Sequence, residues 1–409
     1  MSYAVKRAAE GKSLPGKMRI LDMADEKGTF CSKLLADMGA EVIKIEKPGG
    51  DSSRYIGPFL NNVPHPERSL SFFYHNTNKR GITLNVEKSA GREIFCRLLK
   101  GADIVIETFP PGYLAEIALD FAALREINPR LILVSITGFG QTGPRRHFKS
   151  CDLVASAMSG QMYISGAPST PPLKPFGEQS YYTASLFAAI GILLAIRKRN
   201  QTGEGDHVDI SLQEALTSTL DHVLVRYFHD RVLPQRQGAL YWNNEFFIVP
   251  TKDGFILLTL FQQWETLVGW MDGEGMAADL TDKKWNDEEY RRNHRDHIIT
   301  VVQRWASTHT TGELCELGQM LRFPWAPVHP AKETAESPQL KARGFFTRID
   351  HPEINASLTY PGLPFRFTPS REKSWKCAPV IGEHNSEIFQ GELGLTSQEL
   401  THLAQEGTI

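Results

Sequence analysis

Apolar positions in the first half of the chain fall into short, nearly unbroken runs separated by longer amphipathic stretches. Between Met18 and about Ser211 the runs MRILDMA, AEVIKIE, DIVIE, LILVSI and HVDISL read as strands, and segments such as Ala90 to Leu99 and Ala184 to Arg199 read as the helices between them. Strands that alternate with helices in this way predict an α/β fold built on a parallel sheet wrapped by helices. The segment Cys31 to Arg54 carries the unit in full. Leu34, Leu35 and Met38 give a helix its apolar face, and Gly39 is placed to end that helix in the left-handed conformation. The strand Glu41 to Glu46 follows at once, and Pro48, Gly49 and Gly50 then force a turn. Asp51, Ser52, Ser53 and Arg54 therefore lie near the strand's carboxyl end, where α/β sheets tend to bind ligands.

The pattern changes after the helix expected over Leu212 to Arg226. An Arg- and Gln-containing stretch, Arg231 to Gly238, leads into NNEFFIVPTKDGFILLTL, a hairpin pattern whose Asp253-Gly254 is a strong turn signal. Helical stretches follow at Phe261 to Met271, Asn286 to Arg304 and Gly312 to Leu321. A second, smaller α+β domain is expected from residue 226 to residue 325. Its basic run YRRNHRD reads as a solvated helix face.

At 409 residues the chain can bury a large core, with 41% hydrophobic and 22% charged residues. A net charge of -2 and a pI near 6.7 offer no field for polyanions, so nucleic acid is not an expected partner. The start, MSYAVKRAAEGKSLPGK, has basic residues but no apolar centre like that of a secretory signal, and the apolar stretch Ala184 to Ile196 is too short to span a bilayer. The chain reads as cytoplasmic, with no membrane partner. Five widely spread cysteines, Cys31, Cys96, Cys151, Cys315 and Cys377, form no CxxC pair and no zinc spacing, so no metal is expected. Cys151 is expected to be a buried structural thiol. Gly138, Gly140 and Gly143 satisfy the GxGxxG spacing of dinucleotide-binding loops, but Pro144 and the polar RRHFKS that follow interrupt the helix start which that fingerprint needs.

CSKLLADMGAEVIKIEKPGGDSSR, NTNKRGITLNV (Asn76 to Val86), ADIVIETFPPG (Ala102 to Gly112), INPRLILVSITGFGQTGP (Ile127 to Pro144) and TGEGDHVDISLQEA (Thr202 to Ala215) resemble, in order, the blocks of the family III CoA-transferases. FPWAPV (Phe323 to Val328), KARGFFTRIDHP (Lys341 to Pro352), PGLPFRF (Pro361 to Phe367) and IGEHNSEIF (Ile381 to Phe389) continue the resemblance nearly to the end of the chain. It implies a Rossmann-like large domain beginning in residues 1–225, the smaller domain in 226–325, and a carboxyl segment, 326–409, that returns to the large domain. It also implies an intertwined, interlocked dimer, with a coenzyme A thioester as substrate and no covalently bound cofactor.

In the family an aspartate near the start of the helix before the TGxG turn attacks the acyl-CoA thioester to form a mixed anhydride. A carboxylate suits that task because it is ionised at neutral pH. Counting back from Gly203 places this position on Tyr181, whose phenol is mostly protonated at pH 7. The nearest acid is Glu178, the fallback candidate, which also reads as a helix-start carboxylate. Relatives commonly carry cations where this chain has Pro110 and Glu116, and the glycine-rich loop that covers the intermediate in formyl-CoA transferase has no counterpart between Tyr227 and Asp253. The acyl-CoA racemases of the family place a histidine where Cys151 precedes Asp152. Lys47, Arg54, Asn78, Lys79, Arg80 and Phe109 remain as candidate CoA contacts, and His384 reads as structural. The pattern of losses resembles the non-catalytic chain of the succinyl-CoA-dependent benzylsuccinate CoA-transferases of anaerobic aromatic degradation. The expected function is thus a subunit that pairs with a homologous catalytic chain, the complex moving CoA from succinyl-CoA or a similar acyl-CoA to a small carboxylic acid. A self-sufficient homodimer using Glu178 and a non-enzymatic acyl-CoA-binding scaffold are the alternatives.

Overall fold

The structure, a computed structural model, describes residues 18–241, 245–261, 263–368 and 375–409. The basic start of the chain and the Asn243-Asn244 pair of the hairpin pattern lie outside these residues. Two compact units divide the chain, one formed by residues up to 163, 174–234 and 345–409, the other by 164–173 and 235–344. Residues 226–234 thus belong with the first unit and 326–344 with the second.

The first unit is built on a six-stranded sheet of order β3-β2-β1-β4-β5-β6. The strands are β1 (Arg19–Met23), β2 (Glu41–Glu46), β3 (Arg80–Thr83), β4 (Ile104–Glu107), β5 (Ile132–Thr137) and β6 (Asp206–Ser211), and every pairing is parallel. β1, β4 and β5 are buried along their whole length, as a parallel sheet covered on both faces demands. Ile20, Val42, Ile104, Ile132 and Val134 enter the core on one face, while Leu21, Ile43, Ile82, Val105 and Leu133 fill the other. The period of two along each strand divides them this way.

Helix α1 (Thr29–Asp37) ends as expected, with Gly39 at φ +99°. Helices α2 (Ser89–Leu99), α3 (Asp152–Met158) and α4 (Gln179–Thr202) cover the sheet with α5 (Leu212–Thr217), and α6 (Asp221–Asp230), which buries none of its residues, follows. The helix expected over Leu212 to Arg226 is therefore two helices. α4 packs against α1, α5, β5 and β6. At 24 residues it runs well beyond the apolar stretch Ala184 to Ile196, and by length and composition alone it could cross a membrane; half of its most apolar window is buried inside the protein, as in a core helix. Its other face leaves Leu186, Phe187, Ile190, Leu193 and Leu194 exposed.

The carboxyl segment covers the outer edge of β3. Asn385 pairs with the backbone N–H of Thr83 at 2.9 Å and with its hydroxyl at 2.8 Å, and Ile388 and Phe389 enter the core beside Ile82. An edge strand covered this way offers no template for stray pairing.

In the second unit β8 (Phe246–Pro250) and β9 (Phe255–Thr259) form the expected hairpin, flanked by β7 (Leu240–Tyr241) and β10 (Ala326–Pro327). Asp253 closes its turn and accepts the backbone N–H of Thr311 at 2.7 Å. Arg291 departs from the expected solvated face. It is buried, donates to the Trp285 carbonyl at 2.7 Å and lies 5.1 Å from the Trp264 ring, whereas its neighbour Arg292 stays at the surface with Glu288.

Candidate functional site

The strand order reverses between β1 and β4, so the crevice between their carboxyl ends is the place where a doubly wound sheet takes a ligand. Thr108, just past β4, donates to Asp25 at 2.8 Å and accepts the Asp25 N–H at 3.0 Å. Gly28, which precedes α1, approaches so closely that a Cβ there would lie 2.8 Å from Thr108 Cγ2.

The expected CoA contacts separate into two groups. Arg54 lies inside the protein. It is fully buried, with Nε and Nη2 on the Glu46 carboxylate at 2.6 and 2.7 Å, Nη1 on Glu67 at 2.7 Å, Nη2 on the Pro379 carbonyl at 2.9 Å, and its guanidinium 3.8 Å from the Phe72 ring centre. Lys79 is buried as well. Its ammonium sits inside a cage of Asp22 at 2.9 Å, the Thr29 hydroxyl at 2.9 Å, Ser32 at 2.8 Å and Asn76 at 2.9 Å. Burial pulls its pKa down to about 8, against the pull of Asp22. Asn78 takes a left-handed backbone at φ +62°, donates to Asp37 at 2.7 Å and accepts the Lys376 N–H at 2.8 Å. Arg80 pairs with Glu387 and Glu392, each at 2.7 Å, and with Glu41. Arg54, Asn78 and Arg80 thus tie the carboxyl segment to the body of the unit, whereas Lys79 is enclosed by β1, α1 and Asn76.

Lys47 and Phe109 form the second group, and the structure connects them. Lys47 Nζ lies 2.8 Å from Glu87, the Tyr113 hydroxyl donates to the same Glu87 oxygen at 2.7 Å, and Tyr113 packs on Phe109 with ring centroids 4.6 Å apart. Lys47 and Glu87 are exposed at the carboxyl ends of β2 and β3, and these two bonds lower the Glu87 pKa. Glu87 and Tyr113 carry no motif, so no sequence signal singles them out. Pro110 lies just before, and Glu116 at the end of, the short helix Tyr113–Glu116.

Behind Phe109 stands a buried acid that sequence reasoning also passed over. Glu107 closes the turn by accepting the Phe109 N–H at 2.6 Å. It lies across the sheet from Ser135, which in turn is 2.9 Å from His207 Nε2. Burial raises the Glu107 pKa to about 7, opposed by the Ser135 and Phe109 hydrogen bonds. The available signal is a carboxylate at the end of the apolar strand DIVIE.

Tyr181 sits in the first turn of α4, 7% exposed. Its hydroxyl accepts the backbone N–H of Asp152 at 3.0 Å, and burial raises its pKa above the ordinary phenol value. The bond is returned from the other side. Asp152 accepts the Ser180 N–H at 2.9 Å and the Ser180 hydroxyl at 2.7 Å, and its second oxygen meets Lys174 at 2.5 Å. The amino-terminal ends of α3 and α4 are thus clasped to each other. Glu178 stands at the N-cap of α4 but makes no capping bond, so the expected helix-start role falls to Asp152. Burial and the neighbouring Asp152 raise the Glu178 pKa.

Cys151 is exposed, which corrects the expectation of a buried thiol; it is the N-cap of α3, and Asp152 takes the inward position. His384 accepts the Gly81 N–H at 3.2 Å and donates its own N–H to the Gly81 carbonyl at 2.9 Å. After Gly138, Gly140 and Gly143 no helix begins until Asp152, so the glycines do not open the helix a dinucleotide fingerprint requires. Among the described residues no group of three His, Cys, Asp or Glu side chains could hold a metal ion.

The model of CoA-transferase family III matches residues 17–385. The succinyl-CoA:(R)-benzylsuccinate CoA-transferase subunit BbsE of Thauera aromatica is 33% identical over 402 residues, covering 96% of this chain and 97% of that protein. The succinyl-CoA:mesaconate CoA-transferase of Haloarcula hispanica is 33% identical, covering 91% and 94%. Among solved structures, a CAIB/BAIF family protein from Brucella suis matches with a TM-score of 0.85 at 27% identity, over 93% of this chain and 99% of that one.

Proposed function

From the premise that the chain belongs to CoA-transferase family III, we propose that it is the non-catalytic subunit of a heteromeric CoA-transferase, paired with a homologous chain that supplies the nucleophilic aspartate. The observation that carries the reading is Tyr181. At the position where the resemblance puts the acid stands a buried phenol, its hydroxyl held by the Asp152 N–H and its pKa raised. Such a group cannot attack a thioester as a carboxylate does. The relative from Thauera aromatica is itself named a subunit, and it motivates succinyl-CoA as donor and an aryl-substituted succinate as acceptor, in anaerobic aromatic degradation in the cytoplasm. The exposed apolar face of α4, with Val225 and Phe228 of α6, is the kind of surface a partner chain covers. An interlocked arrangement of the two chains fits the same resemblance, and Lys47 with Phe109 is the place on this chain for CoA.

A self-sufficient homodimer using Glu178 is favoured by one observation, the position of that carboxylate three residues before Tyr181 on the same helix. Incubation of the purified chain with succinyl-CoA and hydroxylamine, followed by mass spectrometry, decides between them. The heteromeric reading expects no modified carboxylate on this chain alone, and transfer only when the homologous chain is added. Turnover by the chain alone, abolished by Glu178→Gln, would overturn it. Binding of CoA with no transfer in either case would leave the scaffold reading.

A further inference from the structure

Glu107, at the carboxyl end of the inner strand β4, is a buried carboxylate with which no cation among the described residues pairs. Its partners are neutral hydrogen-bonding groups. It accepts the Phe109 N–H at 2.6 Å and bonds to the Ser135 hydroxyl beside it on β5. Ser135 is 2.9 Å from Nε2 of His207 on β6, and the half-buried His207 ring lies 5.5 Å from that of Phe121. The line thus crosses three strands. The charged groups that face Glu107 are Asp25, from the turn after β1, and Asp209, from β6; both act with burial against its ionisation and bring its pKa to about 7. His207, held below the usual histidine range by burial, is neutral there.

The turn that Glu107 holds is stiff. Thr108 is fixed on Asp25, Pro110 and Pro111 restrict the backbone, and the Tyr113 N–H donates to the Pro110 carbonyl at 3.0 Å. Whatever sets Phe109 therefore sets Tyr113, and through it Glu87 and Lys47. An ionised Glu107 takes the Phe109 N–H in a charge-assisted bond, whereas the protonated acid accepts more weakly. Ser135 has a single hydroxyl proton, so protonation turns the line round. One proton taken from solvent by the His207 ring passes as Nε2–H to Ser135, and the Ser135 proton passes to Glu107. Resting on the reading that Lys47 and Phe109 form this chain's place for coenzyme A, we propose that Glu107 is a positioning residue. Ionised, it fixes the Phe109 turn for the coenzyme; protonated along the Ser135–His207 line, it lets the turn loosen.

The test compares the full-length wild type with Glu107→Gln at matched pH between about 5.5 and 8.5, so that titration of the ligand and intrinsic amide exchange cancel. Hydrogen exchange of the segment 107–113, read without ligand, is expected to be slower in wild type at high pH and equal in the two proteins at low pH. Coenzyme A, titrated by calorimetry, is expected to bind wild type about fivefold more tightly than the variant at high pH and equally at low pH. Ser135→Ala keeps the carboxylate but removes a bond to its ionised form. It is expected to move the midpoint of the wild-type exchange curve to higher pH, a shift that packing alone would not produce. Exchange that differs by one constant factor at every pH, or not at all, overturns the proposal, as does a midpoint unmoved by Ser135→Ala. Exchange that switches while coenzyme affinity follows one curve in both proteins overturns the coupling to the coenzyme. Exchange that switches in a wild type that binds no coenzyme A at any pH upholds Glu107 as the switch of the turn and overturns only the coenzyme reading on which its use rests.

Discussion

Arg54→Met separates a structural from a ligand-binding role at the position where the sequence points most directly to coenzyme A. In the folded chain Arg54 is fully buried and joins Glu46, Glu67 and the Pro379 carbonyl. Methionine keeps much of the apolar volume against Phe72 but leaves Glu46, whose side chain is also fully buried, as an unpaired carboxylate. Breaking a buried ion pair from one side costs about 3–5 kcal/mol, mostly the penalty of the charge left behind. A sensitivity of about 2 °C per kcal/mol for a unit of this size converts that to a fall in melting temperature on the order of 6–10 °C. Arg54→Met/Glu46→Leu removes the stranded charge and is expected to recover most of the loss, because an apolar replacement of a buried pair is often neutral. Circular dichroism melts of wild type, both single variants and the double variant close the thermodynamic cycle. CoA titration of the same proteins below their melting temperatures provides the independent readout. An Arg54→Met protein that melts like wild type but binds CoA markedly more weakly would refute the structural assignment, as would a double variant no more stable than Arg54→Met.

Glu87 competes with any phosphate for Lys47, so Glu87→Gln is expected to tighten CoA binding by up to about fivefold at low salt, an effect that fades as salt rises; calorimetry at two ionic strengths checks it. His75 is packed among Phe30, Tyr74 and Tyr182, with Nε2 3.1 Å from the Tyr182 hydroxyl, and burial pulls its pKa down to about 4 from 6.5. A depressed folded-state pKa means that the neutral ring's contribution is complete above pH 6.5 and lost as pH falls toward 4. Urea midpoints measured across that window are expected to fall less steeply with acid in His75→Gln than in wild type.

The strands and helices of the first unit were legible because their information is local. The nearly unbroken apolar runs of DIVIE and LILVSI state that a buried strand is present, and Gly39 marks a helix end through its own backbone freedom. The helix expected over Leu212 to Arg226 was less legible, since the stop at Thr217 and restart at Asp221 carry no glycine or proline. At the site, the phenol of Tyr181 was readable in the sequence. Its hydrogen bond was not, because the donor Asp152 comes from a different helix.

By itself the sequence determined the α/β class and the parallel sheet, which follow from the pattern of apolar runs, and the family, which its sequence blocks resemble. Only the tertiary structure decided what the cations do. Arg54 and Lys79 look the same in sequence as Lys47, yet two are enclosed by acids and carbonyls from distant segments and one reaches solvent. An ionised side chain takes its role from the groups that replace its water, and those groups are assembled by the fold.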